Sequence, residues 1–219
     1  MPDLLSIVHT GPRYIVVVKP AGISVEAYAD HDTVEARAWA QFQRPNSPKK
    51  PYVGIVHRLD RPVSGLLLLA RNKSTLRHLN QQFAEGKVRK SYLARTQEPL
   101  EGGKGKLEHW LARDSGGRRA VALDGPAKKA KLSTLTYELI NQGTGYFEYR
   151  IHPITGRYHQ IRVQLATAGA PIIGDEKYGS PLPYWPHEIL LHAHQLQFTD
   201  PTGEQIQLSL PPVWGQPLL

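Results

Sequence analysis

The chain contains no cysteine. Disulfide staples, thiol nucleophiles and cysteine zinc sites are excluded, and the usage fits a reducing compartment, so a cytoplasmic protein is expected. No apolar run approaches the ~18 residues of a membrane-spanning helix. The opening Met1-Pro2-Asp3-Leu4-Leu5 lacks the basic segment and long apolar segment of a secretory signal. Acidic residues are in deficit: 19 Asp and Glu stand against 27 Lys and Arg, a net charge of +8. That imbalance points to a polyanionic partner, most simply nucleic acid. Internal repeats and low-complexity stretches are absent. The 219 residues suffice for a real core, and a single domain over residues 1–219 is expected.

What is present reads as hairpins separated by a few helices. Residues 4–9 and 14–18 flank Thr10-Gly11-Pro12-Arg13 as a hairpin. Lys19-Pro20-Ala21-Gly22 has the chemistry of a type II turn. Asp32-Thr33-Val34-Glu35 opens a short helix with Val34, Ala38 and Phe42 on one face, stopped by Pro45. A Pro-rich loop over 45–51 carries Lys49 and Lys50. Asn72 caps a helix with Leu76, Leu79 and Phe83 inward and Gly86 as its terminator. A strand follows over 87–94. Residues 133–140 and 146–152 alternate as a second hairpin, a helix is predicted over 157–168, and two last strands over 191–198 and 205–210. This pattern predicts an α+β fold with a mixed, mainly antiparallel central sheet and flanking helices.

Chemistry concentrates in two clusters. In His57-Arg58-Leu59-Asp60-Arg61-Pro62-Val63-Ser64-Gly65, one carboxylate lies between two arginines. The apolar run 66–70 that follows predicts a strand buried on both faces. Asp60 is then either a salt-bridged loop acid or a carboxylate kept ionised for work as nucleophile or base. The second cluster is Thr155-Gly156-Arg157-Tyr158-His159-Gln160-Ile161-Arg162. On a helix His159 and Arg162 share a face, and Arg157 falls at the N-terminus, where free amides already favour anions. Arg162, between Ile161 and Val163, is expected to be partly buried and to fork onto a carboxylate. Residues 98–131 are the least periodic part and combine six glycines with Arg113, Arg118, Arg119, Lys128, Lys129 and Lys131. They read as a flexible basic arm gripping phosphates, with Arg113, Lys128 and Lys129 as RNA-binding candidates, or as a solvated excursion.

Taken in order, these segments resemble the RluA-type pseudouridine synthases, which isomerise uridine to pseudouridine in RNA. The resemblance is carried by Lys19-Pro20-Ala21-Gly22, by His57-Arg58-Leu59-Asp60 with Ser64-Gly65-Leu66, and by Lys90-Ser91-Tyr92-Leu93-Ala94. Thr155-Gly156-Arg157 through Arg162, Gly174-Asp175 with Tyr178-Gly179, and Leu191-His192-Ala193 complete the set. Val63 and Gln164 depart from the usual threonine and histidine. The resemblance implies the pseudouridine synthase fold with a catalytic cleft and without an appended N-terminal RNA-binding module. It implies Asp60 as the catalytic carboxylate, Arg162 as its partner, and Tyr92 stacked on the target base. Arg58 is the candidate to fill the space of a flipped-out base, and Leu191 to line the uracil pocket. His57 supports the loop, and Asp175 is expected to be a turn acid held by backbone groups. The implied substrate is ribosomal or transfer RNA, with no metal or other cofactor, and a monomer is expected.

Two rivals come from other chemistry. His192 and His194 alternate on a strand, with His187 nearby, but lack the acids or cysteines of a metal hydrolase site. Ser64 lacks the glycine-flanked elbow of a serine hydrolase. The alternative from a different class is a non-catalytic RNA-binding or chaperone module. Simple binding does not require an acid among arginines, so Asp60 together with Tyr92 and Arg162 argues against it.

Overall fold

The computed structural model describes residues 3–116 and 118–215. The chain forms two compact units, one of residues up to 89 with 193–212, the other of residues 90–192 with those from 213 on. Among the described residues no helix is long and apolar enough to cross a membrane.

The first unit is organised by two strands with no polar face. β1 (Ile7–Gly11) and β2 (Tyr14–Lys19) form the expected hairpin. β2 pairs along its other edge with β4 (Ser64–Ala70), antiparallel, Lys19 opposite Gly65 and Tyr14 opposite Ala70. A two-residue strand, β3 (Gly54–Ile55), also joins β4. β10 (Leu191–Thr199) lies beside β4 and pairs with β11 (Gln205–Ser209). Leu66 through Leu69 are at most 1 % exposed, so β4 is buried on both faces as its composition requires. Tyr14, Val16, Leu66, Leu68, Leu79, Phe198 and Ile206 make the core, with Tyr14 edge-on to Phe198 at 5.4 Å.

Helices α1 (Val34–Phe42) and α2 (Lys73–Ala84) begin where their caps demand. Thr33 accepts from the Ala36 amide and Asn72 from the Thr75 amide, each satisfying one orphan N–H of the first turn.

The second unit is an antiparallel run of five strands, in the spatial order β5 (Arg89–Thr96), β9 (Tyr146–Pro153), β8 (Lys131–Gly143), β6 (Lys104–Arg113) and β7 (Ala120–Leu123). The basic stretch expected to be a flexible arm is therefore largely a paired hairpin. Along β6 exposed Lys104, Lys106 and Glu108 alternate with half-buried Gly105, Leu107 and His109, the period of a strand. The third helix, α3 (Gln160–Thr167), starts three residues later than its sequence pattern suggests. His159 precedes it in a left-handed conformation (φ 52°), and the chain before it turns instead of coiling.

Candidate active site

In the first unit, Asp60 sits half-buried in the loop leading into β4. The loop is clamped by its neighbours' backbones. The Val63 amide donates to the Asp60 carbonyl at 3.0 Å, closing a turn. Lys19, wholly buried, places its Nζ 3.1 Å from the Arg61 carbonyl, 2.6 Å from that of Val63 and 2.8 Å from that of Pro20. Arg61 returns Nε to the Gly22 carbonyl at 2.7 Å, while the Gly22 amide donates to the Arg61 carbonyl. Gly22 has φ 85°, which spares the turn the cost of a Cβ there. The Lys19-Pro20-Ala21-Gly22 segment and the Asp60 loop thus hold each other. Sequence reasoning treated Lys19 as one letter of a turn motif. Its position at the inward-facing end of an apolar strand was the signal that its ammonium is buried.

His57, expected to support the loop, reaches β4 and α2. Beyond the last β3 partner, the Leu68 amide donates to His57 Nε2 at 3.1 Å, which fixes Nε2 as an acceptor and leaves the ring proton on Nδ1. The ring stacks on Phe83 at 5.0 Å. Arg58 is exposed and meets Glu26 at 3.2 Å. An exposed pair of this kind contributes ~1 kcal/mol at most, so Arg58 leaves it at little cost.

In the second unit Tyr92 stands on β5 opposite Ile151 of β9, half-buried. Lys90, two residues earlier, points to the same side of the strand. Burial lowers its pKa from the usual lysine range. Its Nζ lies 3.6 Å from where a Cβ on Gly156 would be, so that glycine leaves room for an ammonium. Lys90 joins the Tyr92 face without having been singled out from sequence.

Arg162 is 4 % exposed and forks as its apolar flanks require. Nε meets Asp175 Oδ2 at 2.7 Å and Nη2 meets Oδ1 at 2.8 Å. Asp175 is thus held by a guanidinium and is more than the backbone-bound turn acid expected of it. The guanidinium lies 5.0 Å above the Tyr178 ring. The Ala120 amide donates to the Tyr178 hydroxyl at 2.8 Å, and the same hydroxyl is hydrogen-bonded to His159 Nδ1, 2.7 Å away. Burial first, then the charges of Arg162 and Lys177, push the His159 pKa down to about 3, and the ring is neutral. His159 and Arg162 share Tyr178, although His159 caps α3 and does not belong to it.

The turn ahead of α3 is tied by Gln160, which accepts from Thr155 Oγ1 at 2.8 Å and from the Arg157 amide at 3.0 Å. Arg157 itself is exposed. Arg113, at the end of β6, places its guanidinium 4.2 Å over Tyr158, whose ring stacks on His159 at 3.8 Å. Lys128 and Lys129 are exposed in the turn after β7. Leu191, 3 % exposed, opens β10. Gln164, the departure from histidine, spreads its amide over the Leu107 and Ser133 carbonyls and His109 Nδ1, lashing α3 to β6 and β8. Among the described residues no three His, Cys, Asp or Glu side chains gather as a metal site would.

Comparison with known proteins agrees with this picture. The profile of the RNA pseudouridylate synthase family matches residues 13–167. An uncharacterised RNA pseudouridine synthase of Zymomonas mobilis is 36% identical over 191 residues, 84% of this chain and 82% of that protein. The dual-specificity RNA pseudouridine synthase RluA of Vibrio parahaemolyticus is 32% identical over 208 residues, 92% and 80% of the two chains. The chain spans 55% of the ribosomal large subunit pseudouridine synthase D of Borreliella burgdorferi, to which it is 33% identical over 180 residues. The solved structure of human RNA pseudouridylate synthase domain containing 1 superposes with a TM-score of 0.80 at 25% identity, covering 97% of this chain and 85% of that one. The fold is accordingly that of the pseudouridine synthases, and the chain belongs to the RNA pseudouridylate synthase family, in its RluA-type branch.

Proposed function

We propose that the chain isomerises uridines of ribosomal or transfer RNA with Asp60 as the catalytic carboxylate. In this reaction the N1–C1′ glycosidic bond breaks, the uracil rotates, C5 bonds to C1′, the C5 proton leaves and N1 gains one. Loss of N1 makes C1′ electron-poor, and a carboxylate beside the sugar stabilises, attacks or deprotonates there. The observation that carries the reading is the clamp on the Asp60 loop. The backbone that follows Asp60, at Arg61 and Val63, is fixed by Lys19 and Gly22, a restraint that favours a carboxylate held ready for reaction.

The remaining roles follow the family resemblance. Tyr92 stacks on the target base, worth about 1–3 kcal/mol. Arg162, oriented by Asp175, is the cation assigned to keep the catalytic carboxylate ionised. Arg58, released from its surface pair, fills the space of a base turned out of its stack. Leu191 supplies apolar wall to the uracil pocket. Arg157, Arg113, Lys128 and Lys129 offer charge to phosphates.

Asp60→Asn keeps the shape of the side chain and removes its charge. Mapping pseudouridines in RNA from cells carrying either form is expected to show sites lost in the variant, while purified variant still binds RNA. Sites that persist at full occupancy would remove Asp60 from the chemistry. Sites absent with the unaltered protein as well would favour a binding module that has lost catalysis.

A further inference from the structure

A second concentration of charge lies in the first unit, away from Asp60. A cavity of about 500 Å³ is lined by Arg13, Arg44, Lys49, Lys50 and Arg71, with Tyr52 on its wall and no acidic residue among its lining. The volume is in the range of sites for small ligands. Its place in the fold is set by β2 and β4. Their Lys19 and Gly65 end meets the Asp60 loop, and Arg13 and Arg71 follow the opposite end, joined by a hydrogen bond from the Arg71 amide to the Arg13 carbonyl. The six residues of β2 separate the two ends by about 17 Å.

Two of the cations are held over aromatic rings. Lys50 sits 4.2 Å over the Trp39 ring and Arg71 4.6 Å over Phe42. The intervening loop is folded on itself: the Ser47 amide donates to the Arg44 carbonyl, Gln43 Nε2 to the Ser47 carbonyl, and the Lys49 amide to Ser47 Oγ. Five like charges around one concavity repel each other, and an anion entering it relieves that repulsion. An exposed tyrosine on the wall offers a flat surface for a base, and cations beside an aromatic platform are the equipment for single-stranded nucleic acid.

We propose that this pocket is a second RNA-binding site, taking the backbone of a single-stranded segment with one base stacked on Tyr52. The proposal rests on the chain's being an RNA-modifying enzyme, and it gives that enzyme a grip on RNA remote from the reacting nucleotide. Such a grip selects substrates by what flanks the target uridine.

The test uses the full chain, a labelled oligouridine of about 20 nucleotides and, separately, inorganic phosphate. In the triple variant Arg44→Gln, Lys49→Gln, Lys50→Gln, the slope of log affinity against log salt is expected to shrink by about 2, at about 0.7 per lost single-strand phosphate contact. Tyr52→Ala is expected to weaken binding by about fivefold or more, and Tyr52→Phe to restore it. Thermal melting of each variant reports whether it folds. Folded variants with unaltered affinity and slope would overturn the proposal. So would saturable phosphate binding that the triple variant abolishes while its oligouridine binding is unaltered, which would make the pocket a site for a free anion. Repeating the titrations on Asp60→Asn separates this result from the catalytic reading, because binding here does not depend on turnover.

Discussion

A wholly buried lysine facing three carbonyl oxygens is costly to keep, since burial penalises its charge, and costly to lose. Lys19→Met fills the same space with no donor, leaving the carbonyls of Pro20, Arg61 and Val63 to find other partners. The expected loss is about 2–4 kcal/mol of unfolding free energy in a urea titration, with turnover falling further than RNA affinity because the loop that relaxes carries Asp60. An unshifted midpoint would show that the clamp contributes nothing.

His159 makes a prediction of the opposite chemical kind. It is buried neutral, with a pKa of about 3 against an ordinary 6.5. As pH falls through 6.5 the unfolded chain takes up a proton that the folded one refuses until near pH 3. The folded state is fully favoured above 6.5 and loses up to about 1.4 kcal/mol per pH unit below it. Asn at 159 offers Tyr178 a donor and an acceptor, tolerates the left-handed backbone and does not titrate. The difference in stability between His159→Asn and the unaltered protein is therefore expected to narrow from pH 6.5 to 4, in matched urea titrations. A difference constant with pH would assign the acid response to other groups.

At the level of elements, the clearest sequence signals were local ones. Thr33 and Asn72 announced their helices because a cap is a side chain answering its own backbone three residues on. The continuous apolar run of β4 announced a strand with no wet face. The β6–β7 hairpin is hard to read from sequence because glycines and lysines dilute an alternation that the burial pattern makes plain. The α3 boundary differs from the periodicity because a left-handed His159 and the fold-back of Gln160 leave no mark in it. Of the proposed site, Asp60, Tyr92 and Arg162 stand out in the sequence through motif order, whereas the burial of Lys19 and Lys90 and the Asp175 fork depend on contacts between residues distant in the chain.

The same distant contacts explain Gly65. With φ at 123°, a Cβ there would lie 2.4 Å from the Ala193 carbonyl oxygen and 2.6 Å from its nitrogen, backbone atoms that cannot swing away. Gly65→Ala must therefore strain β4 or push β10 off it. A loss of about 3 kcal/mol or more in thermal or urea unfolding is expected. A variant as stable as the unaltered protein would mean that the two strands have room for a methyl group between them.

At the scale of the whole molecule, the charge of +8 is a field before it is a set of contacts. Lys128 and Lys129 test how local that field is. Both are exposed, and Lys129 has φ 70°, so Lys128→Gln with Lys129→Asn removes two charges while respecting the backbone. Stability is expected to stay within about 0.5 kcal/mol. If both side chains touch phosphates, the salt slope of RNA binding falls by about 1.4–1.8, at 0.7 to 0.9 per contact. If they act only through net charge, the association rate drops at low salt while the slope at equilibrium barely moves, because no condensed counterions are released at those positions. Stopped-flow association and equilibrium titration over the same salt range separate the two. An unchanged slope would place the turn after β7 outside the RNA footprint and leave the charges nearer the strand ends, Arg113 and Arg157, to carry it.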